Sequence, residues 1–243
     1  MAKKTFLEFK TTLKFNSELS PKLWSNMKLK DKVRNKLIQI ARAWVSYAKI
    51  PEEAVEDYIL VGGMTGYTYT KYSDIDVHVV VDKSKIAECE DLLDDYLKDK
   101  KELWGLRDIT VMGHDVELFA QDKDDEFKTA QSVYSLMKNK WLIPPKKITP
   151  KMKNAIDDSA IYKKTTKYTA YINSLINDSK NNFEALKKLK DKIKKMRQEG
   201  LETGGEFSLN NLVFKELRNL GILDKMNEYM KNTQDDMLSL KSS

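Results

Sequence analysis

The chain has 243 residues, enough for one large domain or two small ones, with 41% hydrophobic residues to build a core and 33% charged residues to cover it. Its single cysteine, Cys89, excludes an internal disulfide framework and fits a reducing compartment. No apolar run approaches the length of a membrane span, and the opening MAKKTFLEFK lacks the apolar centre of a signal peptide, so the expected location is the cytoplasm, with no membrane partner.

The net charge of +6 is unevenly spread. Residues 150–243 hold 18 Lys/Arg against 13 Asp/Glu, whereas residues 1–149 are nearly balanced. A basic excess confined to one part of a chain favours a polyanionic partner there.

In chain order, residues 1–22 read as an N-terminal arm. Residues 29–49 place Val33, Leu37, Ile40, Ala41, Trp44, Val45 and Ala48 at helical spacing and stop before Pro51. An apolar run at 57–61 reads as a buried strand ending at Gly62-Gly63, followed by a loop or short helix over 64–72. Residues 75–82 form a second strand with Val77, Val79 and Val81 on one face, which gathers Asp74, Asp76 and His78 on the other. A charged, amphipathic helix is expected over 84–101, with Cys89 in it. The stretch RDITVMGHDVELFAQD reads as a hairpin with strands at about 107–112 and 114–120. Its second strand turns Asp115, Glu117 and Phe119 away from Val116, Leu118 and Ala120. Residues 133–143 fit either a hairpin turning at Lys138-Asn139 or a short helix. Pro144-Pro145 and Pro150 mark a boundary. Beyond it the pattern is helical at about 151–176, 180–199 and 208–220, with Gly200 and Gly221 as stops and Ser208 as a cap.

Two carboxylates on one strand face repel each other unless a cation sits between them, and a divalent metal held by hard oxygen ligands is the usual solution. A third carboxylate is available on the neighbouring strand, from Asp115 or Glu117. Gly-Gly at the end of a strand, a spacer of residues 64–73, Asp-x-Asp on the next strand and a later acidic strand residue form an ordered set. That set resembles the DNA polymerase beta-like nucleotidyltransferase superfamily. The runs SDIDVHVVVD, DVELFAQD, VYSLMKNKW and GLETGGEFSLNNLVFKELRNLG extend the resemblance to uncharacterised nucleotidyltransferase-like proteins of large tailed bacteriophages.

The resemblance implies an α/β (α+β) nucleotidyltransferase core at 23–148 with a mixed sheet carrying the acids, followed by an α-helical domain at 149–243. It implies transfer of a nucleoside monophosphate from a nucleoside triphosphate, ATP by default, to a hydroxyl acceptor such as an RNA 3′ end, in the host cytoplasm if the chain is phage-encoded. Two Mg2+ (or Mn2+) ions would activate the attacking oxygen and neutralise the leaving pyrophosphate. Asp74 and Asp76 would hold both ions. Glu117 would hold the ion at the attacking hydroxyl and help take its proton, with Asp115 as a rim residue. Gly62 and Gly63 would let backbone N–H groups approach the triphosphate. Thr65, Lys71 and Ser73, with Tyr67 and Thr68 nearby, are further candidates for nucleotide contacts. One departure stands out: many superfamily members have serine where this chain has Gly63.

Other features have blander readings. His78 reads as a hydrogen-bonded edge of the site, and Trp24, Trp44, Trp104 and Trp141 as packing residues. The segment FEALKKLKDKIKKMR, 183–197, buries a Phe183, Leu186, Leu189, Ile193, Met196 stripe. Lys187, Lys188, Lys190, Lys194, Lys195 and Arg197 cover the rest, either as a solvated face or as a rail for a nucleic-acid backbone. TGGEF at 203–207 reads as a turn between helices. The alternatives to an enzyme are a catalytically degenerate nucleotidyltransferase fold that binds nucleotide or nucleic acid, and a protein-interaction module on the same fold.

Overall fold

The computed structural model describes residues 11–240 apart from 14, 88–89, 128–131 and 179. Cys89 therefore lies outside the described residues. The chain divides into two compact units, one spanning the described residues of 15–148 and one made of residues 11–13 and 149–240. The class is the expected one, α+β with a mixed sheet and an α-helical C-terminal region.

The first unit opens with a small hairpin, β1 (Trp24–Ser25) and β2 (Lys28–Leu29), and helix α1 (Asp31–Tyr47). α1 ends in a Schellman motif: Lys49 takes a left-handed φ of 56°, and the Ile50 N–H donates to the Val45 carbonyl at 3.1 Å. The sheet strands follow as β3 (Val55–Val61) and β4 (Ile75–Val81), joined by a 3₁₀ turn at Gly63–Thr65. Helix α2 is Glu90–Trp104, preceded by a separate 3₁₀ turn at Lys83–Lys85 where one continuous helix was expected. Strands β5 (Thr110–Val111), β6 (His114–Asp122), β7 (Val133–Ser135) and β8 (Lys140–Ile143) complete the sheet. Residues 133–143 thus form a hairpin, with Asn139 supplying the positive φ at its turn.

Strand order is β5-β6-β4-β3-β7-β8, with β4 and β6 parallel and the other pairs antiparallel. Val77, Val79 and Val81 of β4 pack with Leu37, Ala41 and Trp44 of α1 and Leu93 and Leu97 of α2 in one core. A second small cluster of Ile59, Val61 and Val133 covers the other face of β3. Burial on both faces explains the unbroken apolar run YILV in β3, against the clean alternation in β4.

Residues 15–22, read from the sequence as part of an arm, belong to this unit. Leu19 is in the core, and the Asn16 backbone and side-chain N–H groups donate to the carbonyls of Tyr67 and Tyr69.

The second unit holds α3 (Pro150–Asn154), α4 (Asp158–Asn177), α5 (Phe183–Gly204), α6 (Leu209–Asn219) and α7 (Ile222–Leu238). The helix expected at 151–176 is broken, because the Asp157 side chain accepts from the Ala160 N–H at 2.9 Å and starts α4 afresh. Gly200 is no stop. α5 runs on to Gly204, and a Cβ at Gly200 would lie 2.7 Å from Asn210 Cβ, so glycine there serves the close approach to the start of α6. Ser208 caps α6, and Gly221, with φ 70°, separates it from α7, a helix that the sequence reading did not include. Fully buried Glu216 on α6 accepts from Thr11 Oγ1 at 2.9 Å and from Thr12 Oγ1 at 2.8 Å, tying residues 11–12 to the helices. Among the described residues no helix is long and apolar enough to cross a membrane.

Candidate active site

Register, not sequence proximity, assembles the acidic face. β4 and β6 are parallel, and Asp76 pairs with Glu117 while His78 pairs with Phe119. Paired residues on neighbouring strands lie about 4.8 Å apart, so the Asp76 and Glu117 carboxylates start from adjacent positions on the same face. On the other side of β4, Asp76 pairs with Val61, the last residue before Gly62. Across the sheet the order is therefore Gly62, Asp76, Glu117.

Gly62 is required by geometry. It has φ 78° and ψ −160°, a conformation open essentially to glycine alone, and a Cβ on it would overlap Asp76 Oδ2 and lie 2.8 Å from Asp76 Cγ. The missing side chain is the space the Asp76 carboxylate occupies. At Gly63 the nearest atom to an added Cβ is Ser73 Oγ at 3.4 Å, so that position is less constrained.

Asp74 sits just before β4, half-buried, at the end of a spacer that is fastened from four sides. Buried His114 donates from Nδ1 to the Ser73 carbonyl at 2.7 Å. The Ser73 hydroxyl accepts from the Thr70 N–H at 3.0 Å. Thr65 is fully buried, its hydroxyl donating to the Gly62 carbonyl at 2.8 Å while Ser132 Oγ bonds to it at 2.7 Å. Trp24 Nε1 donates to the Met64 carbonyl at 2.9 Å. Thr65 and Ser73 thus hold the turn that presents Gly62 and Gly63. Lys71 is exposed, its ammonium 4.7 Å from the Tyr72 ring centre. Tyr67 and Thr68 are buried.

His78 donates from Nδ1 to Gln121 Oε1 at 2.8 Å and tilts against Phe119, ring centres 5.1 Å apart. Burial lowers its pKa, the Gln121 bond opposes that, and the Lys101 ammonium lowers it further. The imidazole is then neutral near pH 7. Glu117 and Asp115 are both exposed, and Asp115 pairs with Thr110 beside the β5–β6 turn. Two adjoining cavities flank Glu117. One of about 240 Å³ is lined by Asp76, His78, Lys101, Glu117, Leu118 and Phe119. The other, about 570 Å³, lies between residues 101–109 and residues 115–118.

Among the described residues no three His, Cys, Asp or Glu side chains converge closely enough to form a ready-made ion site. The donors nevertheless suit magnesium, which usually takes one or two carboxylates and fills its shell with water and substrate phosphates.

Sequence reasoning missed His114, Asn16, Trp24 and Ser132, which fasten the spacer, and Lys101, which faces the acids from the end of α2. His114 did leave a signal: it stands in the buried register of β6 with Val116 and Leu118, where a histidine needs a polar partner.

These features define an α+β protein whose mixed sheet places adjacent carboxylates beside a glycine turn. No protein-family model matches the chain, and no curated protein matches it. Among solved structures, the STING-associated CdnE c-di-GMP synthase from Capnocytophaga granulosa is similar at 16% identity and a TM-score of 0.24, over 86% of this chain and 84% of that one.

Proposed function

We propose that the protein is a metal-dependent nucleotidyltransferase, moving a nucleoside monophosphate from a nucleoside triphosphate to a hydroxyl and releasing pyrophosphate. The observation that carries this reading is the in-register pair Asp76 and Glu117, with the bare Cα of Gly62 packed against the Asp76 carboxylate. Asp74, Asp76 and Glu117 would hold Mg2+ or Mn2+, which when bound supplies charge neutralisation for the attacking and leaving oxygens. Asp76 stands between the other two parts, so the triphosphate lies on its Gly62-Gly63 side and the acceptor hydroxyl on its Glu117 side. Glu117 takes the hydroxyl proton, and its exposed carboxylate is open to an incoming substrate. Exposed Lys71 is the remaining side chain of the spacer suited to the triphosphate.

A nucleic-acid acceptor finds support in α5, where Lys187, Lys188, Lys190, Lys194, Lys195 and Arg197 are all exposed. A second reading, a catalytically silent nucleotide-binding module, is favoured by the hydroxyls of Thr65 and Ser73 being committed to holding the turn.

One experiment separates the two. Purified protein is incubated with α-labelled triphosphates, Mg2+ and total bacterial RNA, protein and metabolites, beside Asp76→Asn. Transfer of label by the wild type alone supports the enzyme. Mg2+-dependent triphosphate binding without transfer supports the silent module, and a protein that shows no binding and no transfer refutes both readings.

A further inference from the structure

Lys101 occupies the last turn of α2, where the helix dipole favours a cation, and it lines both cavities beside Glu117. Among the described residues its ammonium makes no hydrogen bond and no ion pair, and its placed contact is the Phe119 ring at 5.6 Å. The Glu117 carboxylate across the same cavity likewise has no hydrogen-bond or ion-pair partner among the described residues. A half-buried cation that faces Glu117 without pairing to it is placed for an anion that arrives with the substrate.

The strand order says which substrate. The triphosphate turn ends β3, Asp76 is on β4 and Glu117 is on β6, and Lys101 lines cavities with residues of β4 and β6 but with none of β3. Gly62 and Glu117 are therefore separated by two strand spacings, about 10 Å, and Lys101 shares both of its cavities with Glu117. We propose that Lys101 binds a phosphate group on the acceptor, close to the hydroxyl that reacts, so the acceptor is a nucleotide and not a neutral sugar or a protein hydroxyl. Phe119, 45% exposed, gives this nucleotide an apolar floor. The larger cavity is of mixed charge, with Glu102, Asp108 and Asp115 beside Arg107, so Lys101 is the cation common to both cavities. This inference rests on the transferase reading, which fixes the donor and acceptor sides.

The test uses the full chain with Mg2+ and a saturating non-hydrolysable ATP analogue, titrated calorimetrically with adenosine 5′-monophosphate and with adenosine. The wild type should prefer the monophosphate about tenfold or more, the scale of a charge-assisted contact. Lys101→Gln should abolish that preference, and Lys101→Arg should restore it. Affinity for the ATP analogue is measured separately for each protein, so that every titration is run at donor saturation and the monophosphate-to-adenosine ratio is compared within each protein. Equal binding of monophosphate and adenosine by the wild type, or an undiminished preference in Lys101→Gln, overturns the proposal. A wild type with no Mg2+-dependent affinity for the analogue instead overturns the transferase reading, and the acceptor assignment falls with it. A 5′-phosphorylated adenosine trinucleotide, run as a further arm, identifies an RNA end if it binds more tightly than the monophosphate and a free nucleotide if it does not. Either result supports the phosphate at Lys101.

Discussion

Gly62→Ala is the most informative single change, because its cost follows from two separate geometric facts. The ε-region backbone, φ 78° and ψ −160°, costs a non-glycine residue about 1–3 kcal/mol. The new Cβ also overlaps Asp76 Oδ2, so the aspartate must leave its rotamer or the turn must shift, which overpacking data put at about another 1–3 kcal/mol. The sum, roughly 2–6 kcal/mol, is a large part of a typical domain's 5–15 kcal/mol. Gly63→Ala meets Ser73 Oγ at 3.4 Å and should stay within about 1 kcal/mol of the wild type. Urea midpoints of the two variants measure the stability difference, and calorimetric titration of a non-hydrolysable ATP analogue with and without Mg2+ measures the site. Gly62→Ala should lose metal-dependent affinity as well as stability, since the displaced carboxylate is Asp76. A Gly62→Ala protein with wild-type midpoint and wild-type metal-dependent binding would refute the packing argument and the site built on it.

Asp74→Asn or Asp76→Asn should abolish transfer with the fold intact, and Glu117→Gln should cost about 10²–10⁴-fold in turnover. Asp115→Asn should be milder, and a reversed ranking of these last two moves the third carboxylate to Asp115. Burial holds the His78 pKa below its ordinary value of 6.5. Its contribution to stability is therefore complete above that value and is lost as pH falls from there through the folded pKa. Urea midpoints between about pH 7.5 and 5 should consequently fall more steeply for the wild type than for His78→Gln. Parallel curves would show that this imidazole is not the group responsible. If α5 guides a nucleic acid, replacing Lys187, Lys190 and Lys194 with Gln should weaken RNA binding and flatten its log–log salt dependence by about 2. Unchanged affinity and slope would leave α5 a solvated face.

The acidic face was legible because strand alternation is a local rule. IDVHVVV and DVELFA each state which residues share a side, and parallel pairing then needed only the correct register to set Asp76 beside Glu117. What escaped depends on contacts between distant segments. His114 was visibly out of place among buried apolar residues, but its partner, the Ser73 carbonyl, lies 41 residues away. Lys101 looked like any solvated helix lysine, because amphipathic periodicity does not say what a helix end overlooks. Gly200 was misread for the same reason: glycine weakens a helix locally, whereas here the helix continues and the absent Cβ admits Asn210 and Ser208. Residues 133–143 could not be settled locally either. The hairpin is decided by Trp141, which stacks on Trp24 and lies edge-to-face with Tyr134, so aromatic packing from the start of the unit fixes a strand pair near its end. Trp24 also holds the Met64 carbonyl of the glycine turn. Truncating the chain before residue 25 should then disturb the turn at Gly62 and the β7–β8 hairpin before it disturbs β4 and β6, because Trp24 both bonds the Met64 carbonyl and stacks on Trp141.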